Sequence, residues 1–538
     1  MRRIFALAAF ALLAACEAAV EVNATGNVAA GYSSVLVTVE EVWFNESATA
    51  APADDTWEKF RLDDARTIDL VDVTAGGLTS IASDLVLPSG RWRQMRLVLA
   101  DSDAKLHDSA KELDASHNNE VRWFNDNGDE RTTRLEVLNA GEGIGVDLAL
   151  KVVVDTGDTT PINTVQVAFD AARDLTEFHF GGRTGFVLNP VLRAYEVGDA
   201  GTIRGTLNLS QLNIDTDTGR PDIQVTAQEL DRALGRHVLV GSSSVGVNGA
   251  FVLYPLPLGD DAQSPEFDLV ISGPGIQTVV VRDVPVSSGT PASAANVTLG
   301  ITLEPADSYD ANLQEEAPLV PRGARVGFYQ TLPGEDEPYL VAVAPVDPLG
   351  GRFARPVALS RADSISYGTY GAGFTLRSGT PREGAARYGV AAVSPQYGHG
   401  AFASTALRPA SPVSDTALFS VPPLDVVAPA VPGSISATVT VENPAQYDSG
   451  ALLVTREGAV VTVVPLDEVL QQQLGSTFVD VTQVPAGTDI TNLAAGLYHL
   501  EAWTWHSADA ADTFSRHSGD AAVDLRATAS ASAAVTIR

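Results

Sequence analysis

Short apolar segments alternate with glycine- and proline-containing turns along nearly the whole 538-residue sequence, and this pattern restricts the fold more than any other feature. The chain holds 46 glycines and 30 prolines, residues that interrupt helices and shape turns. Within one such segment, residues 34–42, the valines at 35, 37 and 39 would share one face of a β-strand. Helical periodicity is confined to residues 466–475, with a weaker candidate at 104–113. The pattern predicts an all-β protein built from tandem antiparallel β-sandwich domains.

Changes in composition suggest where the domains begin and end. Residues 305–321 are acidic, and residues 408–432 are rich in proline, which favours an extended, semi-rigid linker. The length suggests three or four domains of about 150 residues each. The predicted organisation is a signal peptide at 1–15, a lipidated linker at 16–30, β domains at 31–196, 201–304, 322–407 and 433–538, and linkers at 305–321 and 408–432.

The N-terminus has the features of a bacterial export signal. Arg2 and Arg3 precede an apolar run at residues 4–15, which is too short for a bilayer span of about 20 residues. The run ends in Leu-Ala-Ala-Cys at 13–16, which resembles the lipobox of bacterial lipoproteins. The resemblance implies a diacylglyceryl group on Cys16 and cleavage in front of it. The alternative is an ordinary signal peptide with a chance cysteine, although Cys16 is the only cysteine in the chain.

A lipid at Cys16 would decide where the protein resides. Two or more acyl chains hold a protein stably on a membrane. Glu17 follows the cysteine, and in lipoproteins of enteric-type bacteria a residue other than aspartate here implies sorting to the outer membrane. The two arginines also resemble a twin-arginine export signal, but no cofactor motif follows, which favours the general secretory route. We therefore expect a lipid-anchored protein of the cell envelope, at the outer rather than the inner membrane.

The chain is strongly acidic, with 67 acidic and 35 basic residues and a formal net charge of −32. Such a surface repels nucleic acid and anionic lipid headgroups, so we expect no nucleic-acid partner. It also keeps a protein soluble. Because no cysteine follows Cys16, disulfides cannot stabilise the mature chain, and each domain needs its own apolar core.

Residues 31–196 carry the clearest family resemblance. The sequence Leu-Pro-Ser-Gly-Arg-Trp at 87–92 forms a turn before a strand in which Met95, Leu97 and Leu99 share a face. The segment closes with Leu-Asn-Pro-Val-Leu at 188–192. This order resembles the domain-of-unknown-function 4382 family of bacterial lipoproteins, which implies a β-sandwich and brings no known activity. An acidic insertion at 100–134 departs from the family pattern.

Residues 201–304 show a second resemblance. They open with Gly-Thr-Ile-Arg-Gly-Thr-Leu and contain Val-Gly-Val-Asn-Gly at 245–249. They resemble carboxypeptidase regulatory-like, transthyretin-type modules, which implies a non-catalytic seven-stranded sandwich. The segment 433–538 has a similar opening and closing strand, and residues 322–407 share only scattered positions. We expect three loosely repeated modules.

The sequence lacks the motifs of the common enzyme classes, including a nucleophile elbow, a phosphate-binding loop and a zinc-protease helix. His117 and Glu120 have the spacing of a carboxypeptidase zinc site, but they lie in the polar insertion without a catalytic domain around them. We therefore predict no enzymatic activity. The alternative is an exported hydrolase whose site is assembled between domains from residues without a motif.

Two acidic segments have the alternating oxygen ligands of calcium loops. One contains Asp215 and Asp217, and the other contains Asp126 and Asp129. Neither has the full spacing of an EF-hand, and such segments also form plain β-turns. Calcium at these four carboxylates is therefore one hypothesis, and otherwise we expect no cofactor.

Two tryptophans lie on a segment that reads as a strand, residues 498–506. Alternation places Tyr498 and Leu500 on one face, towards the core, and Trp503 and Trp505 on the other. Exposed tryptophans can stack on sugar rings, which suggests glycan binding. The alternative is that a neighbouring domain or subunit covers them.

The function expected from the sequence follows by elimination. We predict a non-catalytic, lipid-anchored envelope protein with a binding, adhesion or scaffolding role. Its partners would be the membrane, through the N-terminal lipid, and an envelope polymer or surface protein. The hydrolase and a calcium- or glycan-binding surface module are the alternatives.

Overall fold

The structure is a computed structural model. It describes residues 17–102, 104–125, 127–137, 140–153, 163–180, 183–213, 220–258, 265–313, 324–347, 352–394, 398–399, 416–419, 433–441, 447–456, 459–466, 476–480, 493, 496–505, 520–526, 528 and 530–537.

The described residues form β-strands in separate sheets, which confirms the predicted all-β class and tandem sandwich architecture. The α-helices in this part of the chain are two single turns, α1 (Asp108–Lys111) and α2 (Ala171–Asp174). Short 3-10 turns lie at Thr74–Gly76, Ala140–Glu142 and Val197–Asp199. Helix α1 occupies part of the helix expected at 104–113, and the one expected at 466–475 lies almost wholly outside the described residues. No helix in the described ranges is both long enough and apolar enough to span a membrane.

The first domain covers residues 17–196 and is a sandwich of two sheets. Its strands are β1 (Glu17–Asn27), β2 (Tyr32–Asn45), β3 (Glu58–Asp69), β4 (Thr79–Pro88), β5 (Gly90–Leu99), β6 (Glu120–Phe124), β7 (Glu130–Val137), β8 (Ile144–Val152), β9 (Asn163–Asp170), β10 (Leu175–Phe180), β11 (Arg183–Leu188) and β12 (Arg193–Glu196). The smaller sheet has the order β12-β9-β1-β4, and the larger β10-β11-β7-β6-β2-β5-β8, with β3 paired to β2. Val35, Val37 and Val39 are all fully buried in its core, as their alternation predicted.

The predicted linker at 16–30 is wrong, because most of it is strand β1. This strand lies inside the smaller sheet, antiparallel to β4 and parallel to β9. Val20, Val22 and Ala24 are fully buried in the core of the first domain. Small apolar side chains alternate with polar ones here, and their low hydrophobicity hid a core strand.

The other three domains share one strand order. The second domain contains β13 (Ala200–Thr206), β14 (Gln224–Asp231), β15 (Arg236–Ser244), β16 (Ala250–Pro257), β17 (Glu266–Ser272), β18 (Val279–Pro285), β19 (Ser287–Ser288) and β20 (Asn296–Val297). The third contains β21 (Ser308–Leu313), β22 (Arg325–Thr331), β23 (Pro338–Pro345), β24 (Val357–Ser360), β25 (Ile365–Thr369), β26 (Arg377–Gly379), β27 (Gly389–Ser394), β28 (Gly398–His399) and β29 (Thr416–Phe419). The fourth contains β30 (Ser434–Val441), β31 (Ser449–Arg456), β32 (Ala459–Pro465), β33 (Ser476–Asp480), β34 (Leu497–Trp505), β35 (Asp520–Asp524) and β36 (Ser530–Ile537).

In each of these domains the first strand lies inside the smaller sheet. It pairs antiparallel with an earlier strand and parallel with the last one, as β30 does with β33 and β36. In the second domain, β13 also pairs antiparallel with the short strand β19. The facing sheets have equivalent orders, β15-β14-β17-β18, β23-β22-β27-β28 and β32-β31-β34-β35. The parallel pairs depart from a purely antiparallel sandwich. They arise because the last strand returns beside the first and closes the smaller sheet.

Two further predicted boundaries are wrong. Both predicted linkers contribute strands to the third domain, because β21 lies within 305–321, β29 lies within 408–432, and the two pair in parallel. Strands β25 and β26 leave the third domain and extend the second domain's sheet through a parallel pair with β18. The second and third domains are therefore joined by a shared sheet.

Candidate binding cavity at the junction of three domains

A cavity of about 250 Å³ lies where the first, second and third domains meet. Its apolar wall includes residues 340–343 of β23, residues 357–359 of β24 and Tyr388. The first domain contributes Asp170 and Arg173, and the second contributes side chains from β14, β15 and β17. The cavity is thus built from segments far apart in the sequence.

The third domain contributes one edge of each of its two sheets to the cavity wall. Strands β23 and β24 are edge strands of its two sheets, and edge strands carry backbone groups that lack a strand partner. The second domain satisfies some of them with side chains. The Gln228 amide donates to the Leu340 carbonyl at 2.6 Å and accepts from the Leu340 N–H at 3.0 Å. The Ser272 hydroxyl donates to the Val341 carbonyl at 2.6 Å.

A buried hydrogen-bond network closes the junction between the first and second domains. Asn27 ends β1, and its Nδ2 lies 3.2 Å from Asp170 Oδ1, 3.2 Å from Gln224 Oε1 and 2.9 Å from Ser242 Oγ. Its Oδ1 accepts from the N–H and the hydroxyl of Ser244, both at 2.8 Å. The Ser242 hydroxyl also donates to Asp170 Oδ2 at 2.6 Å. Both oxygens of Asp170 are therefore used within the protein.

A buried ion cluster joins the first and third domains. Asp174 is 1% exposed and accepts from Arg173 of the same domain at 2.7 and 2.8 Å. Arg325 of β22 donates to it at 2.7 Å, and the Val191 N–H donates at 2.8 Å. Burial alone would raise the pKa of Asp174, but the two guanidinium groups and these hydrogen bonds lower it below its usual value. The carboxylate therefore stays charged and holds both arginines.

Asp222 differs from the other acids of the junction. It lines the cavity, and the residue is partly exposed to solvent. Within the described residues it has no ion-pair partner. The surrounding protein displaces bulk water from the carboxyl group, and this desolvation raises its pKa. Asp222 is thus the acid of the cavity that remains available to a ligand.

Of the four predicted calcium ligands, the structure describes only Asp129. Asp126, Asp215 and Asp217 lie outside the described residues, as does Cys16. Asp129 lies in the exposed turn between β6 and β7, where its N–H donates to Asn125 Oδ1 at 2.9 Å. Among the residues described, no group of three or more histidine, cysteine or acidic side chains could hold a metal. At Asp129 the local geometry is that of a plain hairpin turn.

The carboxypeptidase-like spacing of His117 and Glu120 has a structural explanation. Glu120 is fully buried, and its Oε2 accepts from the N–H groups of Ser116 and His117 at 2.7 and 3.2 Å. Its Oε1 accepts from Arg122 at 2.8 Å. Glu120 therefore fixes the polar insertion at the start of β6.

The predicted glycan-binding face at Trp503 and Trp505 is wrong, because both side chains are buried, with exposures of 2% and 1%. They do point away from the core of their own domain, as alternation predicted. The first domain covers them, and the rings of Phe178 and Trp503 lie 5.4 Å apart. Neither tryptophan presents a face to a sugar.

Sequence reasoning missed the cavity residues. Asp170 and Asp222 belong to no motif and are 52 positions apart in the chain. One available signal was the group of charged residues at 170–174, which begins at the last residue of the buried strand β9. Charged residues at the end of a core strand indicate a domain interface or a binding site.

Comparison with known families supports the assignment of the first domain. Residues 17–190 match the family model described as "Domain of unknown function (DUF4382)". The match confirms the resemblance found for this part of the chain, and its start agrees with that of β1. No curated protein sequence matches the chain.

Solved structures give only remote similarity. The FN1–FN3 domains of chicken CNTN1 are 14% identical over 61% of this chain and 95% of theirs, with a TM-score of 0.12. The major pilin SpaD from Corynebacterium diphtheriae is 10% identical over 75% of this chain and 96% of its own, with a TM-score of 0.14. A streptococcal ancillary pilin is 12% identical over 63% and 99%, with a TM-score of 0.11. TM-scores this low carry no conclusion about function.

Proposed function

We propose that this protein is a non-catalytic, lipid-anchored protein of the bacterial cell envelope that binds an envelope component at the junction cavity. The observation that carries this proposal is the composition of the cavity. It has largely apolar walls and a few polar groups, including the available carboxyl group of Asp222. Concave sites with this composition are typical of small-ligand binding. A short segment of an envelope polymer or surface protein is the occupant we favour.

The domain interfaces support a scaffolding contribution to this role. Besides the Asp174 cluster, the rings of His237 and Tyr339 stack across the second and third domains with centroids 3.7 Å apart. The Tyr339 hydroxyl donates to Asp268 at 2.8 Å. Such interfaces hold the cavity walls in place, and preorganisation lowers the entropic cost of binding. We further infer that the second to fourth domains are transthyretin-type modules, which their shared strand order supports.

The predicted lipidation of Cys16 gives the protein its place in the envelope. Cys16→Ser should release a soluble protein or leave an uncleaved precursor, with loss of label from a radioactive fatty acid. Unchanged membrane fractionation together with unchanged label would contradict the anchor.

The binding proposal is tested with the soluble chain lacking residues 1–16. Fragments of envelope glycan and of envelope peptides are titrated while binding is followed by calorimetry. We expect binding that Asp222→Asn weakens, because the substitution removes the available charge in the cavity. Asp55→Asn is the matched control, since Asp55 is an exposed acid of a loop in the first domain. Equal affinities of the two variants and the wild type would contradict a role for the cavity.

One observation favours a hydrolase as the second candidate. Asp170 and Asp222 line the same cavity, and a carboxyl group with a raised pKa can act as a general acid. A broad hydrolase screen of the same soluble chain separates the two functions. Turnover that disappears in Asp222→Asn would replace the binding proposal.

A further inference from the structure

We propose that the first domain rests directly on the phospholipid headgroups, at the end where β1 begins. In this orientation the turn at residues 88–90 and the end of β8 contact the bilayer. This inference rests on the proposed lipid anchor at Cys16. It adds a protein surface that contacts the membrane and an orientation for the whole chain.

The anchor would leave the folded domain without a spacer. Glu17, the residue after Cys16, is the first residue of β1 and pairs with Pro88 of β4. Consecutive Cα atoms lie about 3.8 Å apart, so a lipid on Cys16 begins next to the sheet. Ala18 and Val20 are already buried in the core. The start of β1 therefore cannot detach to act as a tether without disrupting the first domain.

Exposed apolar side chains flank the same end of the sheet. Val86 pairs with Ala19 across β4 and β1 and is 49% exposed. Val153, just after β8, is 46% exposed, and its N–H donates to Asn163, whose amide in turn donates to the Ala19 carbonyl. They are two of the six large exposed apolar residues in the part of the chain that the structure describes. Apolar side chains at a membrane surface gain burial among the headgroups and upper acyl chains.

The end of the first domain where β1 begins carries basic and acidic side chains together, whereas the chain as a whole is strongly acidic. Exposed Arg91 and Lys151 lie opposite each other in the β5–β8 pair, and exposed Arg93 follows on β5. The nearby acids are exposed Glu17, Glu46, which lies beside Gly90, and Glu196, which accepts from the Lys151 N–H at 3.4 Å. A chain with a net charge of −32 is repelled by anionic lipids, whereas a surface of such mixed charge is not. Attraction to headgroups decays over about 8 Å at physiological ionic strength, so it acts once the lipid holds this end at the surface.

This orientation places the candidate cavity on the side away from the bilayer. Strand β1 has 11 residues, which corresponds to a length of about 36 Å. Asn27, at its far end, bonds to Gln224 and Ser242 of the second domain beside the cavity. The first domain then separates the cavity from the membrane and leaves it open to envelope components.

The test uses the full lipidated chain in vesicles of phosphatidylethanolamine and phosphatidylglycerol. Val86→Cys and Val153→Cys are each labelled with a polarity-sensitive fluorophore, and the lipidated sulfur of Cys16 does not react. Val247→Cys is the matched control, since Val247 is 54% exposed in a turn of the second domain. We expect several-fold weaker iodide quenching and a blue-shifted emission at positions 86 and 153 relative to 247. Equal quenching at all three positions in protein that floats with the vesicles would overturn the proposal.

Two further measurements separate this surface from the anchor itself. The double variant Arg91→Glu, Lys151→Glu should still float with the vesicles, but the label at position 153 should regain much of the iodide quenching seen at 247. Unchanged protection of position 153 in the double variant would show that Arg91 and Lys151 do not contribute to membrane contact. If the wild-type chain does not float, the anchor fails and the orientation fails with it. If it floats and position 153 is not protected, the anchor stands and only the membrane contact is refuted.

Discussion

Replacing Asp174 with asparagine is the most direct test of how the domains are joined. The substitution removes one negative charge and preserves the size of the side chain. Arg173 and Arg325, whose side chains are only 15% and 14% exposed, then lose the carboxylate they share. The first domain should become less stable, and its attachment to the third domain should weaken.

The expected loss follows from the burial of this cluster. Removing one partner from a buried ion pair costs about 3–5 kcal/mol, because a desolvated charge remains behind. Asparagine keeps one oxygen that can accept a hydrogen bond, so we expect the lower end, about 3 kcal/mol. For a domain of this size each kcal/mol corresponds to about 2–4 °C of melting temperature, which gives a decrease of about 6–12 °C.

Thermal unfolding of the soluble chain, followed by tryptophan fluorescence, measures this decrease. Four of the six tryptophans lie in the first domain, so the signal reports mainly on it. Asp108→Asn is the matched control, because Asp108 forms an exposed pair with Lys111 and exposed pairs contribute little. Arg325→Met should lower the melting temperature less than Asp174→Asn, since Arg173 still neutralises the carboxylate. If Asp174→Asn has the same melting temperature as Asp108→Asn, the ion cluster does not stabilise the junction.

Three other predictions follow from the structure. The pKa of Asp174 is lowered in the folded state. Its contribution to the free energy of unfolding is therefore present above the unfolded pKa of about 3.9 and is lost as pH falls through the lower folded pKa. Melting curves of wild type and Asp174→Asn should therefore keep a constant separation from neutral pH to about 5 and converge only in stronger acid; convergence near neutral pH would contradict this assignment. Trp505→Ala should lower the free energy of unfolding by about 3–5 kcal/mol and increase proteolytic release of the fourth domain. A glycan-binding role for Trp505 would instead predict unchanged stability and loss of glycan binding. Val22→Asp places a charge in the core and should prevent the first domain from folding, as measured by near-ultraviolet circular dichroism. The control Glu21→Ala, at a half-buried position, should leave the domain folded. A folded Val22→Asp variant would mean that β1 is not essential for folding.

Much of the fold could be predicted from local patterns. Alternation identified β2 and its buried valines, and it correctly separated the two faces of β34. Domain boundaries were predicted less well. Strands β21 and β29 lie in acidic or proline-rich surroundings, and their place in a sheet depends on a pairing across more than 100 residues. Composition describes the neighbourhood of a residue in the chain and does not contain such long-range pairs.

The candidate site was the least predictable part. Catalytic and metal motifs are recognised because their residues are close in sequence, whereas this cavity combines side chains from three domains. Asp174 shows the same limit, since its partner Arg325 lies 151 positions away. The sequence indicated charges near the end of β9, but it did not indicate which cations they meet.

The sequence by itself determined the all-β class, because the period of two along each segment requires strands. It also determined the resemblance of the first domain to the DUF4382 family. Only the tertiary structure decided what each exposed face contacts. Trp503 and Trp505 were correctly assigned to the outer face of a sheet, yet the first domain covers them. Likewise, residues 17–27 have the composition of a linker but complete a core sheet between β4 and β9. The physical reason is the same in both cases: burial depends on which surfaces meet when the chain closes on itself, and alternation fixes only the direction in which a side chain points.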